Sequence, residues 1–374
     1  MARAALPTDG RPRSPARRRS GRGAQSNASG RFEREKREGF DDGWETVEET
    51  SLERPPTEVT TETPRRVITR NSSPDVPFDR SINPYRGCEH GCPYCFARPT
   101  HAFMGLSPGL DFERRLFAKP DAGKTLAREL SAKSYRCRPI AIGTNTDPYQ
   151  PIERTWRIMR GVLETLSRFN HPVTILTKNA GVVRDLDLLA PMAERGLVKV
   201  GLSITTEDRA LARAMEPRAS TPDKRFEAVR ALSDAGVPTA VMTAPIILGL
   251  NDHEIESLLE RAAGSGAREA GFTLLRLPLE VSQIFREWVE ATFPDRAAKI
   301  IRLLQESHGG LDHDPRFGKR MSGEGPHAEM AATRFRTAAA RLGLGKRTFV
   351  LRTDLFAPPK PETPQLSLFC ESEA

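Results

Sequence analysis

The chain has 374 residues, 28% of them charged and 38% hydrophobic, with a formal net charge of +8. That length supports one large α/β domain with tails, or two ordinary domains, and a core that needs no disulfide staples. No uninterrupted apolar run reaches the roughly 18 residues of a membrane-spanning helix, and five cysteines are too few for a disulfide scaffold.

Residues 1–70 read as a disordered, charged tail. The first 40 residues hold eleven Lys and Arg against four Asp and Glu, and 41–62 reverse the sign with eight acidic against one basic. Neither block carries a sustained apolar face. The charges of 1–62 cancel, so the whole +8 belongs to the rest of the chain, which suits an acidic partner such as nucleic acid. No apolar signal-peptide core stands near Met1, so a cytoplasmic location is expected, although an Arg- and Ser-rich start also fits an organelle transit peptide.

From about residue 80, short apolar runs alternate with amphipathic stretches. Strands are expected near 81–86 and at 139–144, 172–177, 198–204, 238–247 and 271–277. Helices are expected at 153–169, 182–195, 222–235 and 253–266, where apolar residues recur at helical spacing, as Ile158, Val162, Leu163 and Leu166 do. Gly196 and Gly236, each followed by Leu or Val, read as helix C-caps leading into buried strands. Such alternation means a parallel sheet covered by helices. The expected fold is α/β: a partial TIM-like (β/α)6 barrel over 75–280, with a doubly wound open sheet as the competing architecture. A helical C-terminal extension follows over 281–355, with helices at 281–290, 294–306 and 328–342. Residues 356–374 form a Pro-rich linker carrying Gln365, Leu366, Ser367, Leu368 and Phe369.

In such folds chemistry collects at the carboxyl ends of the strands. Those ends are polar here: 144–147, then Thr177, Lys178 and Asn179, then 203–208, then Asn251 and Asp252, then Arg276. Thr, Asn and Asp also cap helices, which alone would account for Asp147 and Asp252. A cation makes a poor N-cap, so Lys178 and Arg276 point to a site.

Three cysteines stand within eight residues in Asn83-Pro84-Tyr85-Arg86-Gly87-Cys88-Glu89-His90-Gly91-Cys92-Pro93-Tyr94-Cys95. Three thiolates so close can grip one soft metal centre. Structural zinc would want a fourth ligand, which His90 or Cys137 could supply. An iron–sulfur cluster is the other reading, and three protein ligands on a cubane leave one iron open.

The C-x3-C-x-aromatic-C loop after the first strand of a βα repeat, with Tyr94 in the aromatic slot, resembles the radical S-adenosylmethionine (SAM) superfamily. The Asn83–Cys88 approach, the Gly-Thr-Asn-Thr-Asp-Pro-Tyr-Gln-Pro-Ile-Glu stretch at 143–153 and Thr177-Lys178 are similar to its spore photoproduct lyase-related branch. Glu216-Pro217-Arg218-Ala219 and Arg276-Leu277-Pro278 resemble one subgroup of that branch. The resemblance spans about 75–355. It implies a radical SAM barrel in which Cys88, Cys92 and Cys95 hold three irons of a [4Fe-4S] cluster and S-adenosyl-L-methionine chelates the fourth. One electron, from a donor such as flavodoxin or ferredoxin, would then cleave SAM to methionine and a 5′-deoxyadenosyl radical that abstracts hydrogen from a C–H bond. It also implies SAM or substrate contacts, for which Tyr94, Asn145, Asp147, Lys178, Ser203 and Arg218 are the candidates; Lys178 would pair with the SAM carboxylate. Helix capping or a rim salt bridge is the alternative for each. The lyases further use a cysteine as hydrogen donor. Here Cys137 precedes its strand, Thr144 stands nearer the family's position, and Tyr149 is another candidate donor.

Gln365-Leu366-Ser367-Leu368-Phe369 resembles the peptide that binds the bacterial sliding clamp, although its alternation also fits a last strand. The leading expectation is a radical SAM enzyme acting on nucleic acid, in photoproduct lyase-like repair of a DNA lesion. Radical SAM modification of RNA, protein or a small molecule is the second, and a zinc-binding nucleic-acid protein the third.

Overall fold

Strands β1 (Glu58–Thr61), β2 (Ile68–Arg70), β3 (Arg80–Ile82) and β4 (Tyr85–Arg86) lead into the cysteine loop in a computed structural model that describes residues 22–33, 56–345 and 349–359. Then come α1 (Leu110–Arg114), β5 (Arg115–Ala118), α2 (Ala122–Leu130), β6 (Ile140–Ile142), α3 (Glu153–Trp156), α4 (Ile158–Arg168), β7 (Val173–Thr177) and α5 (Leu186–Glu194). They are followed by β8 (Val198–Ser203), α6 (Arg209–Met215), α7 (Pro222–Asp234), β9 (Thr239–Ile246), α8 (Ile255–Gly264) and β10 (Glu269–Leu274). Helices α9 (Val281–Thr292), α10 (Pro294–Glu306) and α11 (Pro326–Arg341) make up the C-terminal extension.

Six strands run parallel in the order β10-β9-β8-β7-β6-β3, and β2 adds antiparallel at the β3 edge. The order is sequential, without the reversal that defines a doubly wound sheet. Among the described residues β10 and β2 do not pair, so the (β/α)6 barrel is open. Strand β8 is buried at five of its six positions, as a strand covered on both faces must be. Ile158, Val162, Leu163 and Leu166 lie on the buried side of α4, as their spacing predicts. The stretch at 153–169 is nevertheless two helices. Arg157 takes φ 49° between them, and the Glu153 carboxylate accepts from Ile158 N at 3.0 Å and Met159 N at 3.2 Å, serving the amides that open α4. Helices α2, of nine residues, and α6, of seven, were not expected.

The open side of the barrel is bridged by the segment between α10 and α11. Leu274 N donates to Met321 O at 2.9 Å, extending the β10 edge. Asp75, in the β2–β3 connection, accepts from Gly318 N at 2.7 Å and pairs with Arg320. Helix α11 packs on β10 and α8 through Phe272 against Phe335, ring centroids 4.6 Å apart, and Arg334 with Glu256. It therefore takes the place of the sixth barrel helix. Helices α9 and α10 share a buried cluster with Cys92 and Tyr94 and underlie the cysteine loop. The extension is thus part of the core rather than an appendage.

The 1–70 tail boundary needs correction. β1 pairs in parallel with β5, and β2 belongs to the main sheet. Residues 22–33 also pack against the region of the cysteine loop. Gly23 N and Ala24 N donate to the buried Glu113 carboxylate at 3.1 and 2.8 Å. A Cβ on Gly23 would stand 1.6 Å from Gly91 O, so only glycine fits there. Composition missed this contact because it rests on fit and on satisfying one buried carboxylate, not on an apolar face.

Two fully buried histidines make stability depend on pH. Burial, the largest cause, lowers both His101 and His171 to about 4. His101 Nε2 pairs with Arg115 O at 2.9 Å, while its buried Nδ1 has no acceptor for a second proton. Their folded pKa values lie below the unfolded value of ~6.5. Their stabilisation is therefore complete above that value and is lost as pH falls toward 4. At pH 5 each should cost about 2 kcal/mol by linkage. Urea denaturation at pH 7, 6 and 5 should show a falling midpoint; an unchanged one refutes the assignment.

Candidate active site

The cysteine loop leaves β4 through Gly87 at φ 75° and turns again at Gly91 at φ 71°, a conformation that suits glycine. Space excludes any Cβ at Gly87 as well: it would meet Phe112 O at 2.8 Å. Cys88 N donates to Phe112 O at 2.9 Å and Cys95 N to Cys92 O at 3.2 Å. Arg98, fully buried, fixes the far side of the loop: Nε donates to Cys92 O at 2.8 Å, Nη1 to Pro108 O and Gly109 O at 3.0 and 2.9 Å, and Nη2 pairs with Glu113.

The separated motifs are one scaffold. Asn83 Oδ1 accepts from Asn145 N at 3.0 Å, and Asn83 Nδ2 donates to Thr144 Oγ1 at 3.2 Å. Tyr85 donates its hydroxyl to Glu153. Gln150 receives Glu89 N at 2.9 Å and donates to Gly87 O at 3.2 Å. Residues 83–89 and 144–153 thus hold one another and set the loop's position.

Cys88, Cys92 and Cys95 are free thiols, and all three line one cavity of about 250 Å³ at the carboxyl ends of the strands. His90, Tyr94, Asn145, Asp147, Lys178 and Ser203 line it too, together with Thr144, Arg276 and the apolar Leu176, Met242, Leu274 and Met321. Burial pushes the three thiols up.

Asp147 joins two strand ends and the loop. It accepts from Thr177 Oγ1 at 2.6 Å, Tyr149 N at 2.9 Å and Lys178 N at 2.6 Å, and His90 Nδ1 lies 3.4 Å away. With these positions taken, Asp147 positions Lys178 and His90. Lys178 Nζ donates to Ser203 Oγ at 2.5 Å, lies 3.5 Å from Glu216 Oε1 and sits 5.9 Å from the Tyr94 ring centre. Glu216 is the hub of this wall. It accepts from the Tyr94 hydroxyl and from Thr205 Oγ1 at 3.1 Å, and it pairs with the buried Arg225. Burial alone would raise its pKa; Arg225 and Lys178 reverse the sign and hold it at about 2.

Arg218 is not in the cavity lining. It pairs with Glu89 at 2.9 Å and steadies the loop from outside. In the Glu216-Pro217-Arg218 motif it is Glu216, two residues earlier, that reaches the wall, and nothing local distinguishes the two. Asn251 and Asp252 lock their own turn by accepting Ile247 N and Gly249 N. Cys137 does not line the cavity, and the Tyr149 hydroxyl donates to Asp185 at 3.0 Å, away from it.

A family model described as the radical SAM superfamily matches residues 82–262. An uncharacterized protein of Mycobacterium tuberculosis is 36% identical over 234 residues, covering 62% of this chain and 68% of that one. Another of Methanocaldococcus jannaschii is 26% identical over 215 residues, 57% of this chain and 76% of that one. Among solved structures, spore photoproduct lyase complexed with a dinucleoside spore photoproduct matches with a TM-score of 0.55 at 17% identity, over 77% of this chain and 80% of that one. The chain belongs to the radical SAM superfamily. It is an enzyme of that class, using a [4Fe-4S] cluster and SAM, on the barrel architecture that spore photoproduct lyase also has.

The residues present fit those cofactors. Among the described residues no three His, Cys, Asp or Glu side chains converge as they would around a single ion. A four-iron cube takes one thiolate per iron and so needs three thiols spread around one cavity, which this loop presents. Cys137, outside the cavity lining, does not complete a zinc set with them.

Proposed function

We propose that this enzyme acts on nucleic acid and that its substrate is a lesion in DNA, opened in a photoproduct lyase-like reaction. The observation that carries the reading is the cavity itself: three thiols at one end, a polar wall of Lys178 and Ser203, and an outer end where Arg276 lies over Phe96. The likeness of the barrel to a lyase described with a bound dinucleoside photoproduct supports it, as does a positive charge confined to residues beyond 62. When bound, the cluster and SAM supply a 5′-deoxyadenosyl radical for C–H abstraction. In this reading Cys88, Cys92 and Cys95 hold the cluster. Lys178, oriented by Ser203 and the backbone of residue 178 on Asp147, presents its ammonium to the SAM carboxylate. Tyr94 and Asn145 border the same space. Leu176, Met242, Leu274 and Met321 keep water from it. Thr144, not a thiol, occupies the wall beside Asn145, so the final hydrogen transfer follows a different route from a cysteine donor there.

The test is anaerobic. Enzyme reconstituted with iron and sulfide, then given SAM and dithionite, should release more 5′-deoxyadenosine with ultraviolet-irradiated DNA than with intact DNA. Its affinity for DNA should fall steeply with salt as counterions are released. Stimulation by RNA instead, or by protein or a small molecule with flat salt dependence, would move the substrate to that class.

Residues Gln365 to Phe369 lie outside the described residues. We read them as a tether to the bacterial sliding clamp, with Leu368 and Phe369 as apolar anchors. Deleting these five should abolish co-elution of the chain with a purified clamp; undiminished co-elution rejects the tether.

A further inference from the structure

Four aromatic rings are exposed among the described residues: Phe32 at 54%, Phe96 at 45%, Phe103 at 71% and Phe317 at 60%. Each has an arginine over it. Arg31 stands 5.3 Å from the centre of Phe32 and 5.8 Å from that of Phe103, and these two rings lie 5.2 Å apart. Arg276 is 4.6 Å from Phe96, and Arg320 is 4.7 Å from Phe317.

One ring lines the cavity, and the other three sit on segments joined to its lining. Phe96 lines it. Phe103 follows the cysteine loop by eight residues. Phe32 is tied to the connection after β10 by Arg31, which donates to Glu280 at 2.6 Å, four residues beyond Arg276. Phe317 belongs to the bridging segment that supplies Met321 to the cavity wall. Arg31 and Arg320 have their charges answered by Glu280 and Asp75, so they brace rings rather than offer free cations. Arg276 is different. It lines the cavity and donates no hydrogen bond to a described residue, so its planar donors are open to an anion.

Exposed phenylalanines grouped beside a cavity mark a surface that a partner can cover. A covering partner must offer flat apolar faces for braced rings and an anion for one open guanidinium. Unpaired nucleotides offer both, because every base has a π-face and every linkage a phosphate. In a duplex those faces are already stacked on one another, and a base must leave the stack to reach a cavity. Resting on the nucleic-acid reading above, we propose that this rim is a platform for a single-stranded or locally opened strand: Phe32, Phe103 and Phe317 stack its bases, and Arg276 with Phe96 takes the phosphate and base at the cavity mouth.

The experiment is fluorescence anisotropy on the full chain, with a labelled single-stranded oligonucleotide, its duplex, and polyphosphate as a base-free polyanion. Phe317→Leu, and separately Phe32→Leu with Phe103→Leu, should each weaken single-strand binding by about tenfold at any salt concentration. The corresponding tyrosine variants should bind like wild type, since they keep the ring. Arg276→Gln should lower the salt slope by about one. Thermal melts check folding, and the two ring sites are independent, so the loss of one protein leaves the other. The platform is overturned if the leucine variants bind as tightly as wild type, if wild type prefers the duplex, or if polyphosphate binding falls in parallel. Wild type that binds no oligonucleotide defeats both this inference and the nucleic-acid reading. Wild type that binds while the leucine variants are unaffected defeats the platform alone.

Discussion

Cys92→Ala should strip the protein of its cluster and reduce 5′-deoxyadenosine formation to background. Anaerobically purified wild type should hold iron and acid-labile sulfide in the ratio of a four-iron cube, and with SAM and dithionite it should release deoxyadenosine. The variant should hold neither in that ratio. The reason is geometric. Cys92 is buried, its carbonyl is held by Arg98, and its side chain packs with Tyr94 over α9 and α10. Alanine keeps that packing approximately while removing one of the three proposed ligands, so the fold should survive, and a circular-dichroism melt would show it. Zinc without sulfide in wild type, or deoxyadenosine formation unaffected by the substitution, would overturn the ligand assignment.

Arg98→Met should cost about 3–5 kcal/mol, the magnitude expected when one partner of a buried ion pair is removed. Arg98 and Glu113 are both fully buried. Methionine fills much of the same volume but leaves the carbonyls of Cys92, Pro108 and Gly109 without their donor, and takes from Glu113 the guanidinium that pairs with it beside the amides of Gly23 and Ala24. Urea denaturation measures the loss. Iron retention should fall with it, because the carbonyl of Cys92, a proposed ligand, is released. Replacing both members, Arg98→Met with Glu113→Leu, should recover part of the stability, since the buried carboxylate that lost its guanidinium is then gone as well. A single substitution costing under about 1 kcal/mol would show that the pair does not hold the loop.

The double dependence of Glu113, on Arg98 and on residues 23 and 24, explains why the cysteine loop and the N-terminal segment cannot be separated. A deletion placed at the expected end of the tail would remove Gly23, Ala24 and β1 and leave a buried carboxylate short of donors. The same logic applies to the extension. Trp288 of α9 donates to Ala214 O at 3.1 Å and packs in the cluster that holds Cys92 and Tyr94. Truncating the chain after β10 would therefore expose the underside of the site rather than trim an accessory part.

The sequence was legible where chemistry is local. Three thiols within eight residues, with glycines at the turns, point to a metal loop. The barrel strands were legible because a strand covered on both faces must be apolar along its length, and the helices because an exposed helix must keep one stripe for the sheet. Even the polar strand ends could be read, since polar residues after buried strands have few reasons to recur at every strand. Cys88, Cys92, Cys95, Tyr94, Asn145, Asp147, Lys178 and Ser203 do come together in one cavity.

What chain order could not convey is which polar residue answers which. Tyr94 and Glu216 are 122 residues apart, and Arg225 and Lys178 reach the same carboxylate from two other elements. Arg218 and Glu216 are equivalent to any local rule, yet one faces the wall and the other the outside of the loop. Arg98, Gln150 and Asn83 carry no signal of their own; they matter because folding brings carbonyls and amides within their reach. Burial creates those obligations, since a carboxylate or guanidinium taken out of water must find partners wherever the fold puts them. Local patterning is set by each segment's own demand to bury apolar surface. Pairing within the buried polar network is set by three-dimensional neighbours, and only the folded chain decides who they are.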